Sequence, residues 1–214
     1  MNGHDRGTRE RLLETAGQVF AVKGVDRATG KEICARAKTN VAAINYHFGS
    51  FDGLYEAVLC EAHRRLATVE SIEAAVTAAR SPEAKLESVF RLIVTSLSGP
   101  MSSSWVVRVL GREIVSPSPA ISVLREKEVK PKIQLVLRVV AELMGLPVDH
   151  PGVARGCVSV MAPCMMLLIV DRRNFTRLFP RFQIAPETAE AVVRHLTRFA
   201  VAGLSAAAEI KSQR

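Results

Sequence analysis

The chain has 214 residues, 48% of them hydrophobic and 23% charged, the balance of an ordinary globular protein long enough for one or two packed cores. Its formal net charge of +8 and pI near 9.7 favour an acidic partner, nucleic acid foremost. Residues 1–65 nevertheless hold only ten Lys/Arg against eight Asp/Glu, so charge alone does not locate a contact. The opening MNGHDRGTRERLL lacks the apolar stretch of a secretory signal, and the longest apolar run, Gly156 to Val170, is broken by Pro163. A spanning helix needs about 20 apolar residues, so that run predicts a buried core helix, no membrane contact and a cytoplasmic location. Cys34, Cys60, Cys157 and Cys164 form no CxxC pair and match no zinc spacing. They are expected as reduced, packed thiols, with no metal and no cofactor.

The pattern is helical nearly throughout, and no segment shows sustained two-residue alternation. Leu12, Leu13, Ala16, Val19 and Phe20 mark one face of a first helix, with Thr8 as its expected N-cap and Gly24 as its stop. Thr29 and Glu32 fit a capping box opening a short second helix that ends near Ala37. Asn40 is an expected N-cap for a third, Val41 to His47, which Gly49-Ser50 breaks. With no proline or glycine between Gly53 and Ser81, a fourth helix is expected to run long. Further helices are predicted over 82–97, 103–115, 120–144 (kinked at Pro131), 151–171 and 186–208, with a loop around Asn174–Gln183.

Three short helices in 45 residues, the last two joined by a tight turn, form a helix-turn-helix pattern. Such a motif lays its second helix in the major groove, where base edges differ in donors and acceptors. Val41, Ala42 and Ala43 are small enough for close approach and could meet thymine methyls. Asn45 offers an amide donor and acceptor together, while Tyr46 and His47 can donate to phosphates. Taken alone, the same residues also suit a surface helix of a bundle.

The stretch TRERLLETAGQVFAVKGVDRATGKEICARAKTNVAAINYHFGSFDGLYEAVL resembles the TetR family of repressors, and NVAAINYHFGS with GLYEAVL resembles its CecR-like subgroup. The region Arg177–Phe182 and HLTRFAVAGL are loosely similar to that subgroup's ligand-binding domain. The resemblance implies an all-α fold: a three-helix DNA-binding domain over 1–53, then a helical ligand-sensing and dimerisation domain over 54–214. It implies that Thr29 and Lys31 touch the DNA backbone and occasionally a base. Asn40, Val41, Ala42 and Asn45 fall where the family reads bases, Tyr46 and His47 where it grips phosphate, and Phe48 where it has a core anchor. In this sequence Lys38 replaces the usual turn glycine, Asn45 the commoner tyrosine, and Phe51 a lysine that contacts phosphate.

The family's last two helices form a four-helix dimer bundle. Gly156, Ser159 and Ala162 would permit close helix approach, and Ala189, Val192, Val193, Leu196 and Phe199 give the final helix an apolar face. A pocket for an unknown small-molecule effector is expected among Phe90, Met101, Trp105, Arg108, Arg112, Met161, Met165 and Met166, where flexible methionines suit varied ligands. No HExxH, GxSxG, P-loop or Rossmann glycine fingerprint is present, and His4, His47, His63, His150 and His195 are scattered, so catalysis is not expected. The expected function is a ligand-responsive regulator, a repressor released from a palindromic operator, that binds double-stranded DNA as a homodimer. The competing reading is a helical protein-interaction module whose degenerate helix-turn-helix no longer binds DNA specifically.

Overall fold

A computed structural model describes residues 3–99 and 104–209, with the side chains of residues 3–6, 172, 173 and 209 left aside. Among the described residues the secondary structure is helical, without strands. The helices are α1 (Gly3–Lys23), α2 (Gly30–Arg36), α3 (Ala42–Phe48), α4 (Phe51–Leu66), α5 (Val69–Ala78), α6 (Pro82–Ser98), α7 (Trp105–Val115), α8 (Ile121–Leu124), α9 (Lys130–Met144), α10 (Pro151–Ile169), α11 (Arg172–Leu178) and α12 (Ala189–Glu209). They fall into two compact units, Met1–Arg65 with Ser103–Glu128, and Leu66–Ser102 with Val129–Arg214. The first unit thus runs past the boundary expected at residue 53 and takes in α4, α7 and α8.

In the first unit α1 is the spine. Leu12, Leu13, Ala16, Val19 and Phe20 are all buried, as their spacing predicts. The helix begins at Gly3, however, so Thr8 lies within it and is not its N-cap. Gly24 ends α1 at φ 78°, with the Arg112 guanidinium lying over it where any side chain would collide. Helix α7 crosses α1 at Gly17, where a Cβ would overlap the Trp105 indole. That indole donates to Glu14 at 2.8 Å, and Arg65 pairs with Glu14 at 2.9 Å while lying 5.0 Å above the Trp105 ring. Burial works against the Glu14 carboxylate, but the bonds from Trp105 and Arg65 outweigh it and hold its pKa below the ordinary glutamate value.

Helix α4 is tied to α7 by polar bonds. Glu113, 1% exposed, accepts from Tyr55 Oη at 2.8 Å and from the Ser118 amide and hydroxyl at 2.9 Å each. Three donors satisfy this buried carboxylate, which fastens the Ser116–Pro119 turn to α4. Burial, with the Glu113 carboxylate beside it, raises the Tyr55 pKa far above the ordinary tyrosine value. The fourth helix is shorter than expected. Thr68 accepts from the Ser71 amide and Ser71 Oγ from the Thr68 amide, a reciprocal cap that starts α5 without proline or glycine. The kink predicted at Pro131 appears as a π-helical turn over Arg125–Val129, where buried Glu128 accepts from Arg64 Nε at 2.6 Å.

Between α2 and α3 the backbone forms a Schellman turn. The Thr39 amide reaches Cys34 O at 3.0 Å and the Lys38 amide Ala35 O at 3.3 Å, with Lys38 at φ 52°. Lys38 is the non-glycine residue that takes a left-handed conformation, which carries the strain its identity predicts.

The second unit packs α6 against α5, α9, α10 and α12. Its core includes Leu86, Phe90, Val94, Val140, Val153, Cys157, Val193 and Leu204. Burial raises the Cys164 pKa to about 12, in keeping with a packed, unreactive thiol. Gly145 at φ 60° closes α9, and His150 Nδ1 accepts from the Gly152 amide at 2.9 Å to open α10. By length and composition α10 could cross a membrane; here it carries seven buried residues and packs on α9, α12 and α6. The segment expected as a loop around Asn174–Gln183 begins inside α11, whose Phe175 meets Phe179 and Phe182 at 5.1 and 5.4 Å.

Replacing Tyr55 with Phe leaves buried Glu113 short of a donor and should cost about 1–3 kcal/mol, read as a lower urea midpoint. A parent-like midpoint would show that the Ser118 bonds suffice. Lys38→Gly should add about 1 kcal/mol by relieving the left-handed strain. An unchanged melting temperature would mean that no strain resides there.

Candidate nucleic-acid interface

Helix α2 starts at Thr29, whose Oγ accepts from the Glu32 amide at 3.2 Å. The expected capping box is only half formed. The Glu32 carboxylate turns instead to Lys23 at 2.7 Å and Arg36 at 2.8 Å, and the Lys23 hydrogen bond lowers its pKa despite some desolvation. Thr29 and Lys31 are exposed at the start of the helix, while Ile33 and Cys34 face the core.

Helix α3 is anchored by a single buried side chain, Ile44, 2% exposed. Asn40 supplies the expected capping bond from two positions ahead of Ala42, with Val41 between: its Oδ1 accepts from the Ala43 amide at 3.0 Å. That commits the Asn40 oxygen to the helix and leaves the amide nitrogen as the group it can offer outward. Asn40, Val41, Ala42, Asn45 and Tyr46 are all exposed. Val41 is 54% and Tyr46 75% exposed, a poor use of apolar surface for a helix with no partner. His47 is half-buried, its ring 4.9 Å from Tyr46 and 6.1 Å from Phe48. The structure therefore brings the eight residues expected to meet DNA onto the outer parts of two short adjoining helices.

One aromatic position differs from expectation, and a second packs against the core. Phe48, expected as core, is only half-buried, and Arg9 of α1 lies 5.2 Å above its ring. Arg9 was invisible to sequence spacing because the contact joins helices nearly forty residues apart. Phe51 meets Phe20 edge-on at 5.6 Å, so it serves packing at the rim of the core.

The residues expected around the effector divide between the two units. Met101 lies outside the described residues. Trp105, Arg108 and Arg112 belong to the first unit; the Trp105 indole is occupied by Gly17, Glu14 and Arg65, and Arg108 and Arg112 are exposed. In the second unit Phe90 is fully buried and Met161 packs on the core, whereas Met165 and Met166 are 46% and 48% exposed. Of the eight, only Phe90 lines the apolar groove of about 460 Å³ that runs between α10 and α12. Its walls include Met144, Val160, Leu196 and Leu204, with Arg155 as the charged residue at its edge. These residues were not foreseen, because the groove arises from helices that meet only in three dimensions.

The final helices also use their faces differently. Gly156 is buried under Leu204, Met144 and Val140 of its own unit, while Ser159 and Ala162 are exposed. Ala189, Val192 and Val193 are buried in the same core, Leu196 is half-buried, and Phe199 is 74% exposed.

No curated protein matches the chain by sequence. Among solved structures, the fatty acid degradation regulator FadR from Bacillus halodurans superposes with a TM-score of 0.69 at 15% identity, over 92% of this chain and 96% of that one. FadR from Bacillus subtilis, solved in complex with stearoyl-CoA, gives 0.70 at 13% identity, over 91% and 98%. AibR, solved in complex with isovaleryl coenzyme A and operator DNA, gives 0.63 at 16% identity, over 87% and 96%. At such identities the likeness establishes the fold. Residues 12–58 match the family described as bacterial regulatory proteins, tetR family, and residues 82–204 match the C-terminal domain of the HTH-type transcriptional dual regulator CecR. The chain belongs to the TetR family of bacterial transcriptional regulators, with a C-terminal domain of the CecR type.

Proposed function

We propose that this regulator is a cytoplasmic repressor that binds a palindromic operator as a homodimer and is released from it by a small-molecule effector. One observation carries the reading of DNA contact: α3 buries Ile44 alone and turns Asn40, Val41, Ala42, Asn45 and Tyr46 outward, with Thr29 and Lys31 exposed beside them. Small residues allow close approach to the groove floor, an asparagine amide can pair with adenine, and Tyr46 and His47 reach phosphate.

Dimerisation through α10 and α12 is supported by what those helices leave uncovered. Ala154, Val158, Ser159, Ala162, Met165, Met166 and Ile169 of α10 are exposed, and Arg155 is the one charged residue in that helix. Phe199 of α12 adds an aromatic ring to the same kind of surface. A solvated helix face is normally charged, so an apolar one calls for a partner. A second copy satisfies this and also presents two recognition helices to two half-sites.

The groove between α10 and α12 has the volume of a small-molecule site, about 460 Å³. An effector seated there would move the helices that carry the dimer face and so alter the spacing of the recognition helices. Its leverage is limited to its difference in affinity for the two states. Coenzyme A thioesters, present in two structures of the same fold, are the first ligand class to try.

Selection of random duplexes by the purified protein at about physiological salt tests the reading. A recovered palindrome supports it; no sequence preference from a folded protein would favour the protein-interaction module. Asn45→Ala should cost about 1–3 kcal/mol on the selected duplex and relax preference at one base position, measured by competition binding. An unchanged profile would remove Asn45 from the groove. Phe199→Asp should give a folded monomer in sedimentation equilibrium, with operator binding weakened by at least about tenfold through lost bivalency. A dimer that persists would rule out this face.

A further inference from the structure

We propose that Arg9 of α1 is a further DNA-phosphate contact, held beside the recognition helix by stacking on Phe48. The inference rests on the reading of α3 as the groove-entering helix. The Arg9 guanidinium carbon lies 5.2 Å from the centre of the Phe48 ring, within the range of a cation–π contact. Phe48 is the last residue of α3 and only half-buried, so the cation it holds sits at the edge of the DNA-facing helix. The rings of Tyr46, His47 and Phe48 follow one another at 4.9 and 6.1 Å, and Arg9 closes that row.

Stacking uses the face of a guanidinium and leaves its N–H donors in the plane, where they can meet phosphate oxygens. It also fixes a long side chain in advance, so less rotamer freedom is lost when phosphate arrives. Phe51, at the start of α4, is turned against Phe20 and brings no charge to DNA. Several other cations of this unit are engaged with carboxylates: Lys23 and Arg36 hold Glu32, Arg65 holds Glu14 and Glu61, and Arg64 holds Glu128. Arg9 is the guanidinium that the geometry sets against α3 itself.

The test measures binding of the full chain to two probes, a duplex recovered by selection and a mixed-sequence duplex of equal length, between about 50 and 200 mM salt. Arg9→Gln is expected to weaken binding to both probes by the same factor and to lower the salt slope by about one. The fall in affinity across that salt range then becomes about three- to fourfold smaller than for the parent. Arg9→Lys, which keeps the charge, is expected to keep the slope. Unchanged affinity and slope in Arg9→Gln would overturn the proposal. So would a loss confined to the selected duplex at constant slope, or an Arg9→Lys variant as impaired as Arg9→Gln; either result would make Arg9 a prop for Phe48. A parent that binds neither duplex overturns the DNA-binding reading itself, which keeps the two failures distinct. Matching circular dichroism melts of the three proteins confirm that the comparison concerns folded chains.

Discussion

The DNA-binding unit depends on the seat of the Trp105 indole against Gly17. Helices of seven residues, such as α2 and α3, are too short to persist alone, because the cost of nucleating a helix is not recovered over so few hydrogen bonds. Helix α2 holds its shape by packing on α1 and α3 by packing on α2, and α1 is in turn clamped by α7 through that ring. Only glycine at position 17 permits the approach. The polar rim of the contact makes it directional: Glu14 takes the indole proton, Arg65 pairs with Glu14 and covers the ring, and Glu61 steadies Arg65. A greasy contact alone could slide along α1, whereas this one has a register.

The consequence is that α7 belongs to the unit that carries the recognition helix, although the one begins at Trp105 and the other ends at Phe48. Glu113 strengthens the same conclusion. A carboxylate 1% exposed is costly unless fully bonded, and its three donors come from α4 and from the turn after α7. Movement of α4 away from α7 would strip Tyr55 from that carboxylate.

What the sequence made legible was local. Gly24, Thr29, Asn40, Ser81-Pro82 and Gly145 each act within one turn of the residues they terminate, so the ends of most helices could be read directly. The all-helical class followed from periodicity, and the exposed face of α3 from the placement of Ile44 among small and polar neighbours. The failures were of two kinds. At residues 67–68 and 172–178 the chain used weak local signals, a Thr–Ser reciprocal cap and an arginine-rich turn of helix, which carry no glycine or proline to announce them. At Trp105, Arg112 and Gly156 the residue type was noticed but its partner was not, since Gly17, Gly24 and Leu204 are brought there only by tertiary packing. Aromatic and arginine side chains near one another in sequence suggested a ligand pocket; in space Trp105 lies against Gly17 and Arg112 over Gly24.

The same distinction governs the second unit. Gly156 lies on α10 with Ser159 and Ala162, a spacing that suggests one small-residue stripe for a partner helix. Helical geometry puts steps of three residues 60° short of a full turn, so a six-residue span turns the stripe well around the cylinder. Gly156 consequently receives Leu204 from within its own unit, while Ser159 and Ala162 turn outward among Val158, Met165 and Met166. One helix thus serves two surfaces, and the groove between α10 and α12 opens where those surfaces meet. A molecule bound in it would press on Leu196, Phe199 and Leu204 of α12 and on Gly156, Ser159 and Val160 of α10. In the proposed reading the groove and the dimer face share α10 and α12, so a molecule that displaces those helices on binding would act on both.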